Sequence, residues 1–182
     1  YSGFCKTHTT KNKIIRSYRI NLPQPCPVSI DDARLGLITD DLYKSSGDFV
    51  LFRPDGTLSY HLASIVDDYH CGINHVVRGE DLLLSSLRQA KMKNIMGQCN
   101  PKFLHLPLAR NKEGQKLSKQ NKAKSVDSNL ASSTLFDALN FLSQEPPREL
   151  QTENTNDIMA WAVENWSIRN MRRKENNVTA GV

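Results

Sequence analysis

An α/β fold is what the sequence predicts, and three observations carry that expectation. Short β-prone runs alternate with segments of helical periodicity. Proline and glycine clusters punctuate the joins between them. The composition, 38% hydrophobic and 24% charged over 182 residues, is that of an ordinary globular chain. A chain of about 150 residues buries roughly 68–70% of its unfolded surface, so neither a disulfide nor a metal is obligatory for a core. No apolar run approaches the ~18 residues of a membrane helix. The low hydrophobicity and high net charge of a disordered chain are missing too. With 24 Lys+Arg against 19 Asp+Glu the formal charge is +5. That balance permits phosphate or nucleic-acid partners without demanding them.

Along the chain, residues 1–20 are basic, with Lys6, Lys11, Lys13, Arg16 and Arg19 around Ile14 and Ile15. Pro23, Pro25 and Pro27 then exclude a helix or a central strand and predict an extended connector. Two β-prone runs, Asp48 to Arg53 and Thr57 to Tyr60, flank Pro54, Asp55 and Gly56, which predicts a hairpin. Leu62 to Val66 reads as a short helix or strand ending in Asp67 and Asp68. His75 to Arg78 predicts a short buried strand that stops at Gly79. Glu80 to Met96 predicts a helix with Leu84, Leu87 and Ile95 on one face and Gly97 as its stop. Phe103 to Leu108 is a second apolar run, followed by a polar loop from Asn111 to Gln120. Two helices follow, one around Leu135, Leu139 and Leu142, the other with Ile158, Ala162 and Trp166 at four-residue spacing. From Arg169 the charged tail is expected to fray.

Cys5, Cys26, Cys71 and Cys99 lie far apart with no CxxC pair, which favours free thiols for at least three of them and a cytoplasmic protein. The chain opens on Tyr1 with no signal-peptide pattern after it, and it is expected to be a piece of a longer protein.

Two places hold residues suited to chemistry. The loop carrying Lys112, Lys116 and Lys119 fits closure over a polyphosphate, where charge develops during phosphoryl or nucleotidyl transfer. Composition alone favours a solvated basic loop instead. Asp67, Asp68, Arg78 and Asp81 are the second group, expected as a polar pocket at the carboxyl ends of two strands. Arg78 offers a planar fork for a carboxylate, with a structural ion pair as the equal alternative. His8, His61, His70, His75 and His105 show no metal-ligand spacing.

Taken together, four stretches resemble a known family. Tyr60 to Ala63 (YHLA), Val66 to Asp68 (VDD), His75 to Leu82 (HVVRGEDL) and Lys116 to Gln120 (KLSKQ) stand in the order and spacing of glutamate-specific class I aminoacyl-tRNA synthetases. The resemblance is closest to their short branch, the glutamyl-Q tRNA(Asp) synthetases. Gly47 to Gly56 looks like that branch's GDFxLRRxDG stretch, and the lysine loop ends in Gln120 rather than the Ser of KMSKS. The chain also stops soon after Trp166, without an anticodon-binding domain. Tyr1, Gly3 and Cys5 look like the YxGxC half of a zinc site.

The resemblance implies a Rossmann-like class I catalytic domain, of which this chain is the C-terminal portion, with a helical C-terminal segment. Residues 1–45 would be a zinc-insertion remnant and connector. Residues 46–130 would be the second half of the catalytic domain, 131–170 the helical segment and 171–182 a flexible tail. It also implies ATP-dependent formation of glutamyl-adenylate without tRNA, then transfer of glutamate to the queuosine base of tRNA(Asp). Tyr60 and Arg78 would contact glutamate. The loop Lys116, Leu117, Ser118, Lys119 and Gln120 would be KMSKS-like, with Lys119 the catalytic, ATP-binding lysine and Lys116 setting the loop's position. Tyr1 and Cys5 would be two of four zinc ligands, Mg2+ would accompany ATP, and the protein would be a monomer with no membrane partner. The HIGH-like segment and a first CxC pair are not in this sequence, so the isolated 182 residues are expected not to form adenylate. His61 stands where Gln or Asn is expected, and Lys6 where Arg is. The alternatives are a piece of a glutamyl-tRNA synthetase that charges the tRNA 3′ end, and a non-catalytic tRNA-binding remnant.

Overall fold

The computed structural model describes Gly3, residues 17–118 and residues 125–173. The chain forms two compact units, Tyr1–His105 and Leu106–Val182.

In the first unit, β1 (Tyr18–Arg19) leads to β2 (Pro27–Asp32), β3 (Gly36–Asp41) and a single helical turn, α1 (Leu42–Ser45). Next come β4 (Val50–Phe52), α2 (Tyr60–His70), β5 (His75–Gly79), a 3-10 turn over Glu80–Leu82, α3 (Leu83–Ile95) and β6 (Lys102–Leu106). Four strands form one sheet in the order β3-β2-β6-β5, and β1 pairs with β4 in a small second sheet. β2 and β3 are antiparallel with Ile30 opposite Ile38, whereas β2 and β6 run parallel, with Asp32 paired to Phe103. The prolines do not exclude an interior strand as expected: Pro27 opens β2, which lies between β3 and β6, and a strand's first residue is a position that tolerates the missing N–H.

Strand β2 alternates strictly, burying Val28, Ile30 and Asp32 while the residues between them face outward. Those inward residues join Leu22, Cys26, Leu42, Phe49, Ile65, Leu87, Ala90 and Phe103 in one core. The α3 face against it also carries polar side chains, since Ser86, Gln89 and Lys93 are buried alongside Leu87 and Ala90. Ile95, expected on this face, is the last residue of the helix and is exposed, while Met92 and Lys93 of the same turn are buried.

Three other expectations change. The hairpin's second arm is a single bridge from Leu58 to Phe52, because Ser59 already caps α2 by accepting from Leu62 N. Helix α2 takes in Asp67 and Asp68, so these acids sit on a helix and not at the end of a strand. Strand β5 is half-exposed, with Val77 turned to solvent, because it lies at the edge of its sheet.

In the second unit, Ala109 to Leu117 folds back on itself, with Arg110 bridging Lys116. A 3-10 turn (Ser128–Leu130), α4 (Ala131–Phe141), a second 3-10 turn (Arg148–Thr152), α5 (Thr155–Asn165) and α6 (Ile168–Arg173) follow. Leu139, Ile158 and Ala162 form its core, with Leu135, Leu150 and Trp161 packed around them. Trp166 is the residue that ends α5 and is partly exposed rather than part of that face. Fraying does not begin at Arg169: α6 is helical and buries Met171. Buried Gln144 ties α4's end to α6's start, accepting from Ser167 N at 2.7 Å and donating to Ser167 O at 3.2 Å. Among the described residues no helix is long and apolar enough to cross a membrane.

Candidate active site

Arg78 is the penultimate residue of β5, and the short connection to α3 fixes where its side chain can reach. Its guanidinium carbon lies 5.4 Å from the centroid of the Phe103 ring, and Nη2 donates to Ser86 Oγ on α3. Burial pulls its affinity for the proton below the ordinary arginine range; hydrogen bonding with Tyr60 and the charges of Tyr60 and Asp68 oppose that pull. No ion pair among the described residues engages Arg78, and its buried Nε has no partner there. The structural ion pair that the sequence left open is therefore not formed.

Tyr60 reaches this place because Ser59 caps α2 directly before it. Ser59 N donates to Leu51 O at 2.8 Å, and the Pro54–Gly56 turn is closed by Asp55, whose carboxylate accepts from Thr57 N and Oγ1. Gly56 supplies the positive φ, +81°, that this turn needs. Tyr60 is about half exposed, so a ring and a hydroxyl stand open beside a half-buried cation. Asp68, two turns further along the same helix, adds a carboxylate that attracts Arg78 without pairing with it.

Next to Tyr60, His61 makes edge contacts with the Tyr60 and Phe49 rings, and Arg88 Nη1 lies 3.3 Å from its Nε2. Arg88 is itself held by Ser46 Oγ at 2.7 Å and stacks over Phe49. Burial first, then the charges of Arg88 and Arg78, lowers the His61 pKa below 6.5. The ring is therefore neutral at pH 7, with Nε2 as acceptor.

Sequence reasoning missed one polar cluster behind Arg78. Asp32 Oδ2 accepts from His105 N at 2.9 Å and lies 2.7 Å from His105 Nδ1, while His105 Nε2 lies 2.6 Å from Ser86 Oγ. Asp32 Oδ1 accepts from Arg34 N and Leu35 N, and Arg34 pairs with Glu80. A single local signal was available: His105 interrupts the apolar run Phe103–Leu108.

Of the lysine loop, Lys116, Leu117 and Ser118 are described and Lys119 and Gln120 are not. Its described part is a closed turn: Asn111 N donates to Gln115 O, Gly114 N donates to Asn111 O with φ +77°, and Leu117 N donates to Ala109 O. Lys116 is exposed on the returning arm. Tyr1 and Cys5 also lie outside the described residues, among which no three His, Cys, Asp or Glu side chains group to hold a metal. Cys26 is buried and free; Cys71 and Cys99 are exposed and free.

A family model of the catalytic domain of class I tRNA synthetases (E and Q) matches residues 6–159. The chain belongs to that family. It is 36% identical over 171 residues to a glutamyl-Q tRNA(Asp) synthetase of Thiobacillus denitrificans, covering 94% of this chain and 56% of that protein. It is 35% identical over 179 residues to one from Synechococcus, covering 98% and 60%. The chain thus spans a little over half the length of these curated relatives. A glutamate-tRNA synthetase structure from Elizabethkingia anophelis superposes with a TM-score of 0.65 at 22% identity, over 89% of this chain and 36% of that one. One from Elizabethkingia meningosepticum, solved with its amino acid, gives 0.63 at 23% identity, over 86% and 34%. The fold is accordingly the Rossmann-like α/β arrangement of the class I synthetase catalytic domain.

Proposed function

We propose that this chain contributes the amino-acid pocket and the lysine loop of an enzyme that activates glutamate with ATP and passes it to the queuosine base of tRNA(Asp). In the first step a glutamate carboxylate oxygen attacks the α-phosphorus of ATP and pyrophosphate leaves. Arg78 and Tyr60 hold the amino acid, the first by a fixed charge and fork, the second by a hydroxyl and a ring wall. Lys119 neutralises charge on the departing phosphates, Lys116 sets the loop's position, and Mg2+ accompanies ATP. The observation that carries the reading is the half-buried Arg78 beside half-exposed Tyr60, a guanidinium that no carboxylate among the described residues pairs with. The names of the relatives support the queuosine acceptor.

The domain boundaries at 45, 130 and 170, a monomeric cytoplasmic protein and one zinc ion complete the proposal. Tyr1 and Cys5 would be two of the zinc ligands, and a tetrahedral site needs two more. A second reading, glutamate transfer to a tRNA 3′ end, draws on the fold shared with the glutamate-tRNA synthetases. Charging assays on the intact protein separate them. Glutamate incorporated only into queuosine-containing tRNA(Asp) supports the first; incorporation into tRNA(Glu) overturns it in favour of the second.

A further inference from the structure

We propose that Asp32, His105 and Ser86 form a buried relay that positions the Arg78 guanidinium, making all three positioning residues for glutamate recognition. The inference rests on the reading of Arg78 as the carboxylate clamp and extends it inward. His105 and Ser86 have no exposed surface and Asp32 has 1%. They come from the ends of β2 and β6 and the first turn of α3, and Ser86 meets Arg78 at the end of β5.

The proton inventory gives the chain one direction. Asp32, accepting from three backbone N–H groups through its two oxygens, is an acceptor toward His105 as well, so His105 Nδ1 carries a proton. Arg78 can only donate, so Ser86 Oγ accepts from Nη2. Where Nδ1 carries the ring's only proton, Nε2 is an acceptor, and the one Ser86 proton goes to it at 2.6 Å rather than to Leu82 O at 3.2 Å. Each hydroxyl or ring N–H therefore points from Arg78 toward Asp32, and every acceptor faces the guanidinium. Such a chain polarises Ser86 Oγ as an acceptor for the charged fork. The Phe103 ring completes the hold: it lies under the guanidinium at 5.4 Å and stacks on His105 at 5.8 Å, with 21° between the planes.

The Asp, His and Ser types also occur in acyl-transfer triads, but no substrate carbonyl reaches this hydroxyl. Ser86 is fully buried and its oxygen is already engaged by Arg78. A buried polar cluster is also a poor device for stability, since well-packed apolar residues do as well or better. Orientation of a binding cation is a use that apolar residues could not serve.

Guanidinium nitrogen-15 spectroscopy on the intact protein tests the relay. Arg78 signals are assigned with Arg78→Lys, and rotation about the Cζ–Nη bonds is compared between wild type, Ser86→Ala and Ser86→Thr. Slow rotation in wild type, fast rotation in Ser86→Ala and recovery in Ser86→Thr support the proposal; unchanged rotation in Ser86→Ala overturns it. Ser86→Cys, which keeps the volume and weakens the acceptor, stands in should the alanine variant fail to fold. In the intact enzyme, the Ser86→Ala change raises the KM for glutamate roughly tenfold in ATP–pyrophosphate exchange, with kcat nearly unchanged. A freed guanidinium with an unaltered KM leaves the relay standing and overturns the assignment of Arg78 as clamp.

Discussion

Arg88 Nη1 faces His61 Nε2 at 3.3 Å, a cation donating to an imidazole that must stay neutral to receive it. Burial is the largest cause of the lowered His61 pKa, with the charges of Arg88 and Arg78 adding to it. The unfolded chain therefore binds this proton more readily than the folded one. Stability is complete above the unfolded value near 6.5 and falls as pH drops below it, down to the folded pKa. Thermal melts of the His61→Gln variant are expected to lose less between pH 7.5 and pH 5 than those of wild type; an equal or larger loss refutes the assignment.

Arg78→Lys keeps a charge but removes the planar fork and the donor to Ser86. In the intact protein the KM for glutamate should rise tenfold or more, corresponding to about 1.4 kcal/mol or more. Pyrophosphate-exchange kinetics at varied glutamate measure it, and an unchanged KM removes Arg78 from the pocket.

Lys119→Ala is expected to lower kcat in the same assay roughly 100-fold while the KM for glutamate moves little, because its charge acts on the leaving phosphates. Lys116→Ala should cost less. The reverse order of the two lysines would exchange their roles.

Ile65, the buried residue of α2, has no exposed surface and sits in the core. Ile65→Ala is expected to destabilise the fold by about 2–5 kcal/mol through lost contacts and a residual cavity. Urea unfolding should show a lower midpoint with an unchanged m-value.

What could be read in advance followed the range of the forces involved. The helices around Leu87, Leu139 and Ile158 and the Pro54–Gly56 turn are local matters of periodicity and turn chemistry. Strands β2 and β3 were missed because β2's third inward residue is Asp32, a carboxylate where the alternation calls for an apolar side chain. Its burial is satisfied by His105, 73 positions away, which no local window contains. Arg78 and Tyr60 were singled out through chemistry and family resemblance, and the structure sets them within one polar neighbourhood. Ser86 is one of two adjacent serines on α3, and nothing local marks it as buried. Only its tertiary neighbours give it a role.

Tyr60 inherits its position from the cap at Ser59, and Ser59 is hung from Leu51 by a backbone bond of 2.8 Å. An α-helix advances about 100° per residue. One residue inserted between Leu58 and Tyr60 would either discard the cap or swing the phenol to another side of the barrel-like cylinder of α2. Substitutions at the turn's tip leave that angle alone. Evolutionary drift through this stretch should thus be free in spelling and strict in length, with gaps excluded between Leu58 and Tyr60.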